Sequence, residues 1–446
     1  MLIALHCPLP IAYCPLIIAY YLCALIMKVF KFGGASINSV DRIKNTAVII
    51  REYAPQKLLV VISAMGKTTN ALEKIAEAFF EGRKEDALLL FEQVKKTHLE
   101  TIKYLLPLRR KEAEDQLKEF FTEIEWLLHD KPVRNYDYYY DQIVCCGELF
   151  STAIVAQYLR EQKLKVYWTD VRDIFRTDDN FRDANIDLNF TSQKINEDIL
   201  PLFDEFDVVL TQGFIGATDE NESTTLGREG SDYSAAIFAN ILNANDLTIW
   251  KDVEAVMNAD PGRFKDAVII PSLSYKEVIE MAYYGAQVIH PKTIKPLQNK
   301  NIPLYVKSFL DPSLPGTVIN KTAVKNLPPV IVLKEKQTLV HFHSRDFSFI
   351  EGKPVEALHN IFKQIKLQPN LSQNTAISLM CCFDGHDEKT AQIAEEAALL
   401  FDVEIEKGLS LLTVRHYNED TIKKMTEGKN IVLEQRTPDT LQVIFR

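Results

Sequence analysis

Three features of this 446-residue sequence predict an α/β fold with a mostly parallel sheet, followed by two small α+β units. Up to about residue 320, short β-rich apolar runs alternate with longer amphipathic stretches, the pattern of strands joined by helical crossovers. Proline clusters at 311–316 and 326–329 then remove backbone donors and break regular structure, marking a domain junction. The length also exceeds one typical domain of about 100–150 residues. Hydrophobic residues at 47% and charged residues at 25% supply a packed core and exclude a largely disordered or collagen-like chain.

Residues 1–26 contain no Lys, Arg, Asp or Glu but three prolines, Pro8, Pro10 and Pro15. A secretory signal would need a basic start and a small-residue cleavage site, and a spanning helix does not tolerate such repeated proline; no membrane role is expected, and a weak membrane tether is the alternative reading of this segment. Met27 stands directly before Lys28-Val-Phe-Lys-Phe-Gly-Gly34. Translation is therefore expected to start there, with 1–26 a non-native or weakly ordered extension. The first domain, 27–320, opens on a strand at Val29–Phe32, a helical run from Val40 and a strand at Leu58–Ile62. From about Glu73 to Asp130, Lys, Glu, Leu and Phe dominate and Pro107 is the one proline, which predicts a helical insertion with solvated charged faces. Strands return at Lys165–Trp168, Asp207–Leu210, Leu247–Trp250 and Pro303–Val306.

The second region, 327–446, begins with a strand at Thr338–His343 and a helix carrying Val355, Leu358, Ile361, Phe362 and Ile365 on one face. A strand at Ala376–Phe383, a helical run Lys389–Phe401, and strands at Val403–Ile405 and Leu409–Val414 follow. A short helix from Glu419 and two final strands end the chain. Two small α+β units accommodate this order better than one. Lys plus Arg total 51 and Asp plus Glu 61, a net charge of −10 without a basic stripe, which excludes nucleic acid as a partner. The seven cysteines fall as two adjacent pairs plus three in the first 23 positions, with no C-x-x-C spacing. A reducing, cytoplasmic compartment fits that usage.

Ten of the sixteen glycines lie in six polar clusters of the first domain, and these are the candidate site. The first, Lys31-Phe-Gly-Gly-Ala-Ser36, follows a strand and precedes a helix. Such a turn presents backbone N–H groups at a helix start beside a lysine, which suits a phosphate. A tight turn with an exposed lysine satisfies the same residues. It is not a Walker A loop, because the lysine precedes the glycines. The second, Ser63–Asn70, lies at a strand's carboxyl end, where its hydroxyls could serve a ligand or cap a helix. The third, Cys146-Gly-Glu148, offers a carboxylate that either caps its helix or receives a substrate ammonium.

The fourth runs from Thr211-Gln-Gly-Phe-Ile-Gly216 through Thr224-Thr-Leu-Gly-Arg-Glu-Gly-Ser-Asp-Tyr233 into a helix over Ser234–Leu242. It combines a flexible helix start, an arginine able to grip a carboxylate with two N–H groups, and an aspartate placed for a metal or a lysine. The fifth joins Trp250-Lys-Asp-Val253 to Asn258–Arg263, and the sixth is Gly285–Pro291. No nucleophile motif accompanies His290, which reads as a satisfied histidine in a proline turn. No role follows for the tyrosine-rich run Asn135–Asp141.

In this order the clusters resemble the aspartate kinase (aspartokinase) family over Lys28–Arg446, most specifically at Lys31–Ser36, Gln212–Gly216, Thr224–Arg228, Gly230–Tyr233 and Ile289–Pro291. The resemblance implies an amino-acid kinase fold followed by two ferredoxin-like ACT domains, ATP and Mg²⁺ as cofactors, and phosphorylation of the side-chain carboxylate of L-aspartate. It implies that Lys31, Gly33, Gly34 and Asp232 serve the transferring group. Ser63, Thr69, Glu148, Arg228 and Ser231 would hold aspartate. Lys31, Ser36, Lys251, Asp252, Met257, Arg263 and Gln287 would lie on the nucleotide side. No protein metal cage is expected.

The family's ACT modules pair between subunits, which implies a homodimer with lysine or threonine as effector, bound near His343–Phe347 and Asn370–Asn374. The sequence departs from the family's pattern at Ala35, Glu229, Lys251, Met257, Gly262, Gln287, Asp346 and Asn370. Other members of the fold, acting on acetylglutamate, glutamate, carbamate or UMP, generally lack the ACT pair. A catalytically silent amino-acid sensor is the reading from another class, and the retained Lys31, Arg228 and Asp232 oppose it. No G-x-G-x-x-G and no length remain after the ACT region for a fused homoserine dehydrogenase.

Overall fold

The computed structural model describes residues 26–53, 56–346 and 348–446; the expectation for the leading segment lies outside them, apart from Ile26. The chain forms two compact units. The first comprises the described residues up to Val256 together with Pro271–Ile279 and Ile289–Ala323; the second comprises Met257–Ile270, Glu280–Val288 and Val324–Arg446. Short segments before the proline-rich stretch thus belong with the second unit.

The first unit is built on β1 (Met27–Phe32), β2 (Lys57–Ile62), β3 (Val166–Trp168), β4 (Val208–Gln212), the hairpin β5 (Ile215–Ala217) and β6 (Ser223–Thr225), β7 (Asp246–Lys251), β8 (Ser272–Ser274), β9 (Leu304–Ser308) and β10 (Thr317–Asn320). Eight of these make one sheet in the order β3-β4-β2-β1-β7-β9-β10-β8. Neighbours from β3 through β9 run parallel, whereas β10 is antiparallel to β9. Parallel strands are covered on both faces, and β2 accordingly reads as the apolar run Leu58–Ile62 and β4 opens on Val208–Leu210. Phe32 and Trp250, opposite each other on β1 and β7, stack with centroids 5.9 Å apart and are fully buried.

The helical insertion expected over about Glu73–Asp130 is present as Thr68–Phe80, Lys84–Leu105 and Arg110–His129, and the helices Tyr136–Val144 and Cys146–Glu161 follow it. The continuous stretch Tyr136–Glu161 is long and apolar enough to cross a bilayer, but 94% of its apolar window is buried inside the fold. It is a core helix, apolar all round because protein surrounds it.

The second unit differs from two separate sheets. It has β11 (Val330–Ser344), β12 (Leu371–Asn374), β13 (Ser378–Asp384), β14 (Phe401–Arg415), β15 (Ile431–Arg436) and β16 (Thr440–Phe445) in one antiparallel sheet, ordered β12-β13-β11-β14-β16-β15. The short strands expected at Val403 and Leu409 are one strand, β14, and Asn370–Asn374 is largely strand rather than loop. The two long strands serve two subdomains. Residues 337–343 of β11 pair with β13 and 339–344 pair with 401–406 of β14, whereas 330–334 pair with 411–415. The second subdomain thus takes an edge strand from residues that precede the first, because an α+β sheet must complete its core. Helices Lys353–Gln364 and Asp387–Ala397 cover a core of Val340, Phe342, Leu358, Phe362, Phe383 and Ile393, while Ile422 of the helix Glu419–Thr426 packs on Leu412, Val414, Leu441 and Val443. Phe401 opens β14 instead of closing a helix.

Replacing Phe32 by Ala removes a fully buried ring stacked on Trp250, and a cavity at that site costs about 3–5 kcal/mol. Urea unfolding should register that loss; a change below about 1 kcal/mol would show that the stack is not part of the core's support.

Candidate functional site

In the first unit, β2 lies on one side of β1 and β7 on the other, so the chain reverses its direction of sheet growth at β1. Ligands of open α/β sheets bind at the carboxyl ends of strands at such a switch point. A cavity of about 580 Å³ occupies this position, lined by residues following β1 (Gly33, Gly34, Ala35, Ser36), β2 (Ser63, Thr69) and β7 (Asp252), with Lys31, Trp250 and Lys251 from the strand ends.

The first glycine turn is shaped by close approach. A Cβ on Gly34 would stand 2.7 Å from the Ala64 carbonyl oxygen and 2.9 Å from that of Gly66, so only glycine lets the turns after β1 and β2 meet. Lys31 extends over this turn, its Nζ 3.4 Å from where a Gly33 Cβ would lie. The Lys31 ammonium pairs with Asp232 Oδ1 at 2.7 Å. Burial alone would raise the Asp232 carboxyl, but the Lys31 and Lys251 charges outweigh it and hold it below the ordinary carboxylate range. Asp232 sits in the first turn of the helix Gly230–Ile241, which starts four residues earlier than the sequence predicts. Gly227 at φ 75° and Glu229 at φ 54° turn the chain into that helix, and the Glu229 carboxylate accepts from the His290 backbone N–H at 2.8 Å. His290 in turn caps the helix Pro291–Lys300, accepting from Lys292 N–H, a structural role.

Glu148 lies in the first turn of Cys146–Glu161, where one carboxylate oxygen accepts from Ala64 N–H at 3.1 Å. The other oxygen is buried without a hydrogen-bond partner in the structure, although the residue lines the cavity. Burial pushes its carboxyl up to about 8, against the pull of the Ala64 N–H and of Lys31. A cation arriving at that oxygen supplies the missing partner. Ser63 and Thr69 line the same cavity; the helix Thr68–Phe80, which holds Thr69 in its first turn, has Lys67 at its N-cap and no side-chain cap, so capping does not occupy these hydroxyls. Ser231 and Arg228 complete this side; Arg228 is exposed and makes no ion pair among the described residues.

The cavity therefore gathers Lys31, Gly33, Gly34, Ser36, Ser63, Thr69, Glu148, Arg228, Ser231, Asp232, Lys251 and Asp252. Met257, Arg263 and Gln287 are not among its lining and belong to segments of the second unit. There Met257 bridges to Ile269, and Arg263 pairs with Asp260 and Glu335. Tyr140 and Arg182 line the cavity without a role read for them from sequence, and Phe214 and Thr225, which stand inside the fourth cluster, line it too. The tyrosine run was the one signal for Tyr140, and the neighbouring Asp141, fully buried, accepts from Thr225 N–H and Oγ1 and from Arg182 N–H.

Comparison with known proteins agrees with this architecture. The amino acid kinase family pattern matches residues 27–308. Lysine-sensitive aspartokinase 3 of Escherichia coli (strain K12) is 31% identical over 90% of this chain and 89% of its own. Two crystal structures of E. coli aspartokinase III superpose on this fold. The complex with aspartate and ADP, in the R-state, has a TM-score of 0.78 at 29% identity, covering 94% of this chain and 96% of that one. The complex with lysine and aspartate, in the T-state, has a TM-score of 0.74 at 28% identity, covering 94% and 95%.

Glu148 yields a pH prediction. With its folded value near 8 and an ordinary value of 4.5, the folded chain holds a proton that the unfolded chain has released across that window. Stability from this group is full below pH 4.5 and falls as pH rises through 8. Relative to Glu148→Gln, the native chain should lose stability between pH 5.5 and 8.5 in urea titrations. A difference that does not change with pH would mean the carboxyl is already ionised when folded.

Proposed function

Because the chain belongs to the amino acid kinase family, and within it to the aspartokinases, we propose that it transfers the γ-phosphoryl group of ATP to the β-carboxylate of L-aspartate. The product is 4-phospho-L-aspartate, the first step toward lysine, threonine, methionine and isoleucine. The observation supporting this most directly is that one cavity holds both a charge-neutralising set and an acceptor-gripping set.

An aspartate carboxylate is already ionised at neutral pH, so the reaction needs no general base. It needs alignment and neutralisation of the charge on the transferring group. Lys31 provides a fixed ammonium, oriented by Asp232, above the Gly33–Gly34 turn whose backbone N–H groups face phosphate oxygens in this reading. Ser36, Lys251 and Asp252 stand on the nucleotide side, and Met257, Arg263 and Gln287 join them on the resemblance. On the acceptor side, Arg228 grips the α-carboxylate, the unpartnered Glu148 oxygen takes the ammonium, and the Ser63, Thr69 and Ser231 hydroxyls orient the body of the substrate.

Mg²⁺ fits this donor set as an ion carried by nucleotide phosphates. Among the described residues no group of three His, Cys, Asp or Glu is poised to hold a metal, and hydrated Mg²⁺ asks only one or two carboxylates, here Asp232 and Asp252. When bound, it neutralises phosphate charge. We extend the reading to a cytoplasmic homodimer joined through the six-stranded regulatory sheet, with lysine, or else threonine, as inhibitor.

Trapping the acyl phosphate with hydroxylamine tests the activity, with glutamate, acetylglutamate and UMP beside aspartate and with lysine or threonine added. Aspartate-dependent hydroxamate is expected. Arg228→Ala should raise the aspartate KM at least about tenfold, and Lys31→Ala should lower kcat by about 10²–10³. No turnover with any acceptor, in a folded protein that still binds lysine or threonine, would favour the sensor instead. Light scattering should give a dimer at micromolar concentration, and a monomer would overturn the paired regulatory sheet.

A further inference from the structure

We propose that Arg182 is a second acceptor-binding cation of this site, carried to the cavity on the Tyr140 ring to grip the substrate's α-carboxylate together with Arg228. The proposal rests on the aspartate kinase reading above.

Arg182 occupies the left-handed region at φ 71°, where a residue with a Cβ is strained and glycine is at ease. An arginine kept in such a conformation beside a cavity points to a use for its side chain. The surrounding residues hold it there. Its backbone N–H donates to Asp141 Oδ2 at 2.9 Å, and the same buried carboxylate accepts from Thr225 N–H at 2.8 Å and Thr225 Oγ1 at 2.7 Å. The residue before Asp141 carries the other end: the guanidinium carbon lies 4.4 Å from the Tyr140 ring centroid. Burial pushes the Tyr140 phenol up to about 12, so the ring stays neutral beneath the cation. Successive residues of one helix therefore set both the backbone and the charged group of Arg182.

The position selects the ligand. The Arg182 carbonyl oxygen lies 3.3 Å, and Asp183 Oδ1 2.6 Å, from where a Gly227 Cβ would stand, so this segment rests against the residue preceding Arg228. Both arginines line the cavity. The one carboxylate paired with the Arg182 guanidinium among the described residues is Asp137 at 3.1 Å, and both partners are roughly half exposed. Such a pair is weak and exchanges readily, and the fork of five N–H donors retains capacity for a carboxylate. A small acceptor whose α-carboxylate is met by Arg228 and Arg182 and whose ammonium is met by Glu148 matches this set.

The test uses the full chain, with aspartate binding read by calorimetry and turnover by the hydroxamate assay. Arg182→Gly suits the purpose because glycine accepts φ 71° without strain, so the fold should be kept, as thermal melting will check. The expected result is an aspartate KM and Kd about tenfold higher, kcat within twofold and an unchanged ATP KM, with millimolar guanidinium chloride restoring affinity. Tyr140→Leu should move the aspartate constants the same way by a smaller factor. Unchanged aspartate constants, a rise confined to the ATP KM, or a rise that guanidinium does not reverse would each overturn the proposal. Native protein that turns over aspartate while Arg182→Gly matches it sinks only the role of Arg182. Native protein that neither binds nor phosphorylates aspartate sinks the kinase reading with it.

Discussion

The Lys31–Asp232 ion pair is the constraint around which the site is organised. Both side chains are largely buried, and a buried charge deprived of its partner costs about 3–5 kcal/mol, so the end of β1 and the first turn of Gly230–Ile241 are held at salt-bridge distance. Ser231 and Gly230 enter the cavity through this tie. The helix N-terminus favours the negative charge of Asp232, and Lys251 reinforces it. A phosphate arriving at Lys31 thus meets an ammonium already oriented, which is what electrostatic preorganisation requires.

Sheet topology decides what else can reach that ammonium. Since β2 and β7 flank β1, the turns after three strands converge on one point, although they are far apart in the chain. The helix Cys146–Glu161, buried on every side, adds Glu148, its carboxylate aligned by Ala64 N–H. In the second unit the two long strands β11 and β14 run through both subdomains, so neither sheet is complete without the other. A change felt in one subdomain has a direct covalent path into the other, a property suited to a regulatory region.

Arg182 illustrates a signal that periodicity does not carry. Nothing in its local sequence marks it, because its left-handed backbone is imposed by Asp141, 41 residues earlier, through a hydrogen bond across the fold. The tyrosine run around residue 140 was visible in the sequence, but its purpose depends on which cation lies over the ring. The early start of Gly230–Ile241 was hidden for a similar reason: Glu229, an ordinary residue by composition, is held at positive φ by its bond to His290 N–H.

By itself the sequence determined the alternation of strands and helices, the switch to a smaller α+β architecture after about residue 320, and the clusters at Lys31–Ser36, Ser63–Thr69, Glu148 and Arg228–Asp232. These are local properties, since apolar period, proline placement and glycine turns act over a few residues. Tertiary structure alone decided that β11 and β14 are each shared by two subdomains, that Met257, Arg263 and Gln287 belong to segments of the second unit, and that Tyr140 and Arg182 join the cavity lining. Those outcomes depend on pairing and burial between segments tens to hundreds of residues apart, where the free energy of a contact belongs to the assembled core and to neither segment alone.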